Sequence, residues 1–282
     1  MTGLFLPFSA DSTIGVNISS QGDRPCFILG RTARSLSLEL QPATAHSSIF
    51  FTEKKCSGTS VFSDNLAEVE IFDSQDKMIF YQKTPEMYLR RNSLATIKLL
   101  ISCAVRQGWK ENIRATLFHG AMLTHPEYPE QSVLIFGISG MGKSTTAQRW
   151  KAVGGNAPAD DLILIYQDEC GDFFARPLPT WSRYPETADF NICCKVKNVL
   201  HLQRGKQDEI VSANDKSAWS VDCAKALMFH HYLPNLSQEI SAAIAFECMK
   251  FGEALRKKFD AYDINTNLDG DLYPVLMECF EP

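Results

Sequence analysis

The sequence predicts an α/β protein with a mixed central sheet, flanking helices and a β-rich N-terminal portion. Three observations carry that prediction. An apolar run, Val133-Leu134-Ile135-Phe136, enters the turn Gly137-Ile138-Ser139-Gly140-Met141-Gly142-Lys143-Ser144, and a helix-compatible stretch follows from Thr145. Residues 1–90 hold short extended runs separated by Ser, Gly and Pro. Near the C-terminus, apolar residues recur at three- and four-residue spacing in two long segments. The expected organisation is a β-rich portion over residues 1–90, free to pack as part of the same domain, and a main domain over residues 91–282.

In the N-terminal portion, Ile14-Gly15-Val16-Asn17-Ile18, Cys26-Phe27-Ile28-Leu29 and Ser48-Ile49-Phe50-Phe51 read as extended runs. Ala67-Glu68-Val69-Glu70-Ile71-Phe72 alternates polar and apolar, and a turn at residues 73–76 leads to Lys77-Met78-Ile79-Phe80-Tyr81, so a hairpin is expected. No chemistry is legible here. From residue 93 to 107 the pattern turns helical, with Leu94, Ile97, Leu100, Ile101 and Val105 on one face and Gly108-Trp109 as its end. Residues 115–123 read as a strand with His119 and Gly120 in its middle, and the polar turn at 126–130 leads into the strand that feeds the glycine-rich turn. Two adjacent strands would bring His119 near that turn.

The turn itself has a direct physical reading. Glycines let backbone N–H groups face inward, and the following helix adds unpaired N–H groups and the positive end of its dipole. Such a nest suits a polyphosphate, with Lys143 reaching the β- and γ-phosphates and the Ser144 hydroxyl on Mg2+. A helix over 144–153 is expected, stopped by Gly154-Gly155. Asp160-Asp161 then precedes the buried-strand pattern Leu162-Ile163-Leu164-Ile165-Tyr166. Adjacent carboxylates repel unless a cation or a shared proton relieves them, and Mg2+ is the natural relief beside a phosphate nest; a solvated acidic turn is the alternative. Asp168-Glu169 offers a competing magnesium motif at the far end of the same strand, although residues 168–172 read better as a hairpin turn before Phe173. Arg176-Pro177-Leu178-Pro179-Thr180-Trp181-Ser182-Arg183 reads as a proline-stiffened loop whose two guanidinium groups could meet substrate or phosphate.

Beyond that loop, residues 196–202 and 209–211 read as strands, and 216–232 and 237–259 as helices separated by Pro234-Asn235. His230-His231 falls at a helix end, where the dipole favours a cation, and is assigned no chemistry. The tail reads as strands around residues 261–264 and 273–277.

Composition excludes several classes. With 45% apolar and 22% charged residues over 282 positions, the chain is an ordinary globular protein with a real core. A net charge of −5 provides no field favouring nucleic acid or an anionic membrane. The start, Met1-Thr2-Gly3-Leu4-Phe5-Leu6-Pro7, lacks the basic and apolar regions of a signal peptide, and no charge-free apolar run reaches about 18 residues. A cytoplasmic protein with no membrane and no nucleic-acid partner is expected. The nine cysteines show no zinc spacing and are expected to be reduced thiols. No Asn-Lys-x-Asp element reads guanine; Asn214-Asp215-Lys216-Ser217 has the wrong order for a regulatory GTPase.

The order of these motifs resembles the HPr serine kinase family, which has the phosphoenolpyruvate-carboxykinase-like P-loop fold. The match lies in His119-Gly120, residues 137–144, Gly154-Gly155 and Asp160-Asp161, with residues 177–180 as a weaker echo. The glycine-rich signature that bifunctional members carry after the aspartates is missing, so the resemblance is to the divergent branch tied to peptide-modification gene clusters, among them the SynChlorMet cassette. It implies an ATP- and Mg2+-dependent transfer to a hydroxyl, borne by a serine of a peptide or protein or by a serine-like small molecule. The implied nucleotide-binding residues are Gly137, Ser139, Gly140, Met141, Gly142, Lys143, Ser144 and Thr145. Ser144 and Asp161 would ligate Mg2+, Asp160 would take the hydroxyl proton, and His119 would orient it or bind phosphate; the sequence does not divide the two aspartate roles. Relatives often form rings, so the resemblance allows a homo-oligomer, on which the sequence itself is silent. A nucleotide-binding scaffold without transfer activity is the alternative on the same motifs.

Overall fold

Short runs rich in β-branched and aromatic residues build two sheets in two compact units, and several strands of the second are buried along most of their length. The computed structural model describes residues 2–21, 23–43, 47, 49–52, 60–64, 69–73, 78–82, 91–178, 190–231 and 238–280. The first unit comprises Met1–Ala115 and His230–Ile244, and the second Thr116–Phe229 and Ala245–Pro282.

In the first unit, β1 (Thr2–Pro7) and β2 (Gly15–Gln21) pair antiparallel, and β3 (Gln41–Pro42) edges β1. A second group holds β4 (Ile49–Thr52), β5 (Ser60–Asp64), β6 (Val69–Asp73) and β7 (Met78–Gln82). The sheet order is β3-β1-β2-β4-β7-β6-β5, and β6 and β7 form the expected antiparallel hairpin. The run around Cys26, expected to be extended, is instead helix α1 (Asp23–Ser35). Pro25 is the reason for the difference: in a first helical turn its missing N–H costs nothing, and Pro25, Ile28, Leu29, Thr32 and Ala33 then fall on one buried face. Helix α2 (Arg91–Lys110) passes through Gly108, where the sequence predicts a stop. The actual stop is Asn112, at φ 59°, with Ile113 N–H bonding Gly108 O and Asn112 N–H bonding Trp109 O, a Schellman closure. His231 is also buried here, its Nδ1 3.1 Å from the Ser102 hydroxyl and its ring 4.9 Å from that of Trp109. Burial, with the nearby Arg106 and His230 charges adding to it, holds the His231 pKa well below the ordinary histidine value. The expected dipole-favoured cation is therefore a neutral core group.

In the second unit, the run at 115–123 is two strands, β8 (Ala115–His119) and β9 (Ala121–His125), broken at Gly120. A Cβ there would come within 2.5 Å of Ile135 O and 2.6 Å of the Phe118 ring, so only glycine fits. Strand β10 (Tyr128–Phe136) leads into helix α3 (Lys143–Ala152), then β11 (Asn156–Ala159), β12 (Leu162–Gln167) and β13 (Phe173–Pro177). The unit continues with β14 (Cys194–Arg204), β15 (Glu209–Ser212), α4 (Lys216–Met228), α5 (Gln238–Phe259, whose first residues belong to the other unit), β16 (Tyr262–Thr266) and α6 (Leu272–Met277). The sheet order is β11-β9-β10-β14-β13-β12-β8, with β16 beside β14 and β15 beside β16. The pairs β10–β14 and β14–β16 are parallel, which makes the sheet mixed and aims three carboxyl ends the same way. The turn at 168–172 is a hairpin, with Asp168 N–H to Asp172 O at 2.9 Å. The expected strand at 273–277 is α6; Asp271 caps it by accepting from Tyr273 N–H, and Pro274 sits in its first turn. Trp150, Phe280, Leu200, Leu202 and Ile135 lie at the centre of the core that seats α3. No helix among the described residues is long and apolar enough to cross a membrane, and the described cysteines are free thiols.

Candidate active site

Strand β10 ends at Phe136, and the chain must turn at once to start α3. Gly140 at φ 82° and Gly142 at φ 114° make that turn in the left-handed region, where a side chain is strained. A Cβ on either would meet nothing within 4 Å, so the space in front of the turn is open. Gly137 is needed for a different reason: a Cβ would press on Leu202 O of β14 at 3.3 Å. Gly142 caps α3 with no side-chain hydrogen bond, leaving the first N–H groups of the helix to whatever occupies that space. Ser139 is exposed beside the turn, Met141 and Ser144 are half-buried, and Thr145 is exposed.

Lys143 folds under the turn. Its side chain donates to Gly137 O at 2.9 Å and Ile138 O at 3.4 Å, and the residue is only 7% exposed. Burial lowers its pKa, and the Asp161 carboxylate pulls the other way. The ammonium and Asp161 are therefore electrostatic neighbours.

Asp161 is anchored by its backbone, whose carbonyl accepts from Gly120 N–H at 3.2 Å. The break between β8 and β9 thus ties the His119-Gly120 corner to the start of β12. Across that tie, His119 Nδ1 lies 3.2 Å from Asp161 Oδ1, and both side chains are largely buried. Phe229, one residue past α4 and 53% exposed, stacks on the His119 ring at 4.1 Å between centroids and 29° between planes. Asp160 is buried between β11 and β12. The fold thus brings Lys143, Asp161 and His119 together; Asp160 is next to Asp161 in the chain, and the Ser144 hydroxyl makes no hydrogen bond among the described residues.

The expected loop from Arg176 begins instead inside a strand, and its residues 179–183 lie outside the described residues. Arg176 belongs to β13, is buried, donates to Phe190 O at 2.9 Å and sits over the Phe190 ring at 5.4 Å. Its guanidinium is thus engaged within the fold. Arg183 lies outside the described residues. Asp168 is committed to its hairpin, where its side chain accepts from Asp172 N–H.

Two features escaped the sequence. Phe229 gave no signal beyond its place near a helix end. The other is a cavity of about 500 Å³ beside the turn, walled by Thr145 and Arg149 of α3 and by residues after β14 and β16. Arg149 grips Asp208 through two contacts, at 2.6 and 3.2 Å, and also donates to Gly270 O at 2.8 Å. Asp208 in turn accepts from Asn267 N–H at 2.8 Å, which locks both far loops onto α3.

The family model described as SynChlorMet cassette protein ScmC matches residues 86–281, well over half of the chain. No curated protein matches the sequence. Among solved structures, the Hpr(Ser) kinase/phosphatase from Coxiella burnetii is similar at 16% identity, over 32% of this chain and 67% of that one, with a TM-score of 0.26. The branch to which the motif order pointed is thus the one matched, and the chain belongs to the family of SynChlorMet cassette protein ScmC.

Proposed function

We propose that this protein is a P-loop phosphotransferase, dependent on ATP and Mg2+, that moves the γ-phosphoryl group onto a hydroxyl of a peptide or protein serine or of a serine-like small molecule. The observation that carries the reading is the buried Lys143 ammonium, hydrogen-bonded to Gly137 O in the glycine turn and within electrostatic reach of Asp161, which pairs with His119. An ammonium held with a lowered pKa gains most from an arriving polyanion, because phosphate restores the charged form that burial penalises.

In this reading the backbone of Gly137, Ser139, Gly140, Met141 and Gly142, with the first turn of α3 at Lys143, Ser144 and Thr145, holds the phosphate chain. Ser144 and Asp161 supply hard oxygen donors suited to Mg2+, which would neutralise charge on the phosphate oxygens. The acceptor oxygen forms a bond to the γ-phosphorus as the bond to the β–γ bridging oxygen breaks, ADP leaves, and the hydroxyl proton passes to Asp160. His119, fixed by Asp161 on one edge and Phe229 on one face, orients the acceptor or contacts the transferring group. The catalytic contribution is positioning and electrostatics, since no bond to the protein forms.

The test is label transfer from γ-labelled ATP with Mg2+ to serine-bearing peptides and free serine-like acceptors. Wild type should transfer, and Asp160→Asn should bind ATP with transfer reduced at least about 100-fold, as loss of a general base requires. Full-rate transfer by Asp160→Asn would remove the base assignment. Tight ATP binding without transfer to any acceptor would leave a nucleotide-binding scaffold in its place.

A further inference from the structure

The cavity beside the glycine turn has the walls of a nucleoside site, and most of its polar side chains are already engaged. Strands β10, β14 and β16 run parallel, so their carboxyl ends open on one side, where ligands of such sheets bind. The turn at 140–142 follows the first, Arg204 ends the second with Gly205 after it, and Thr266 ends the third with Asn267 and Leu268 after it; all line the cavity. Its volume, about 500 Å³, lies within the range of small-molecule sites.

The polar groups in its walls are mostly spent. Asn267 donates its amide to Lys206 O at 2.7 Å and accepts from Asp269 N–H at 3.3 Å. Thr266 donates its hydroxyl to Gln203 O, and Gly205 N–H bonds Thr266 O. Arg149 is held by Asp208 and Gly270. What remains is the planar Arg204 guanidinium, whose donors lie in its own plane, and apolar surface. Arg204 is exposed, and its guanidinium makes no hydrogen bond or ion pair among the described residues. Leu268 is 75% exposed, and Met141 adds further apolar surface. Thr145 and Thr146 contribute rotating hydroxyls that donate or accept alike, and such groups do not tell adenine from guanine.

We propose that this cavity seats the base of a purine nucleoside triphosphate by stacking it on the Arg204 guanidinium, without selecting adenine over guanine. The inference rests on the phosphate site proposed above and adds to it the nucleoside specificity and the residue that sets it. A guanidinium over an aromatic face attracts it through the ring quadrupole, and this attraction is indifferent to the pattern of donors along the base edge. The larger face of a purine gives more of that contact than a pyrimidine does.

The experiment measures equilibrium binding of Mg-ATP, Mg-GTP and inorganic tripolyphosphate to the full chain, as wild type, Arg204→Ala and Arg204→Gln. Wild type is expected to hold ATP and GTP within about threefold of each other and both at least about tenfold tighter than tripolyphosphate. Either substitution should weaken ATP and GTP about five- to tenfold and tripolyphosphate less than about twofold. Retained tripolyphosphate binding then shows that the variants are folded. Equal losses for all three ligands would make Arg204 a phosphate contact and overturn the inference, as would an ATP-to-GTP ratio beyond about thirtyfold, or variants that lose nothing. Those three results leave the phosphate site standing. A wild type that binds none of the three ligands removes both.

Discussion

Replacing Lys143 by Met tests the phosphate site through stability, because the ammonium is nearly neutral to stability without nucleotide and stabilising with it. In the free protein the substitution loses a hydrogen bond to Gly137 O at 2.9 Å and a weaker one to Ile138 O at 3.4 Å. Hydrogen bonds made by a charged donor contribute about 1.5–3 kcal/mol. Against that loss, the methionine side chain would carry no charge into a site only 7% exposed, and burying an ion costs several kcal/mol before its attraction to a partner is counted. The lowered pKa shows that burial outweighs the attraction of Asp161. The two changes nearly cancel, so the free variant should melt within about 3 °C of wild type, at about 2–4 °C per kcal/mol for a unit of this size. With Mg-ATP at about 100 Kd, binding adds about 2.7 kcal/mol to wild type, a rise of about 5–11 °C. A variant whose affinity has fallen about 100-fold keeps only about 0.4 kcal/mol at the same concentration, a rise of about 1 °C. The sign of the pH dependence follows from the same group. Between the lowered folded pKa and the ordinary lysine value the unfolded chain binds more protons, so wild-type stability climbs with pH across that window, and Lys143→Met should flatten the climb. Differential scanning fluorimetry of both proteins, with and without Mg-ATP, reads all of these. A variant with the full nucleotide-induced rise would show that the ammonium faces no phosphate. A free variant that melts more than about 10 °C lower would make Lys143 a structural pin of the turn.

Two further outcomes are expected. Asp208→Ala strips Arg149 of a bidentate partner in a site where the Asp208 side chain is 1% and the Arg149 side chain 17% exposed, and it orphans Asn267 N–H. The loss should be about 3 kcal/mol in urea unfolding, and Arg149→Met with Asp208→Leu should recover at least half of it; a single-variant loss under about 1 kcal/mol would show that the clamp is slack. His231, its pKa depressed chiefly by burial, gives stability that is full above the unfolded histidine value of about 6.5 and declines as pH falls below it. Urea midpoints at pH 7, 6 and 5 should therefore fall in wild type and fall less in His231→Gln, which keeps a hydrogen-bonding partner for Ser102; parallel declines in the two proteins would place the acid sensitivity elsewhere.

What the sequence disclosed was set by the distance over which each signal acts. The glycine turn, α3, the hairpin at 168–172 and the β6–β7 hairpin are written in neighbouring residues, where φ preference and side-chain period act, and all were legible. Helix α1 was missed because its run was read as extended and bounded by Pro25, and α6 because Tyr273 to Met277 was read as a strand, while both prolines occupy first turns, where a proline is tolerated. The His231 pocket was misjudged because Ser102, 129 positions away in the chain, decides whether that imidazole is buried or wet. The cavity was invisible for the same reason. Its walls meet only after β14 pairs with β16, and the Arg149–Asp208 clamp spans 59 residues that no local pattern links. Gly120 stands where the two kinds of information join. As a sequence feature it is a glycine after a histidine, and by itself it predicts only a weak point in a strand. In the fold, Ile135 O and the Phe118 ring exclude a side chain there, and its N–H holds the Asp161 carbonyl. A larger residue at 120 would push the start of β9 off Ile135, strain that bond and carry His119 away from Asp161 without altering either residue. The His-Gly pair is therefore a single device, in which the glycine sets the position of the corner and the histidine uses it.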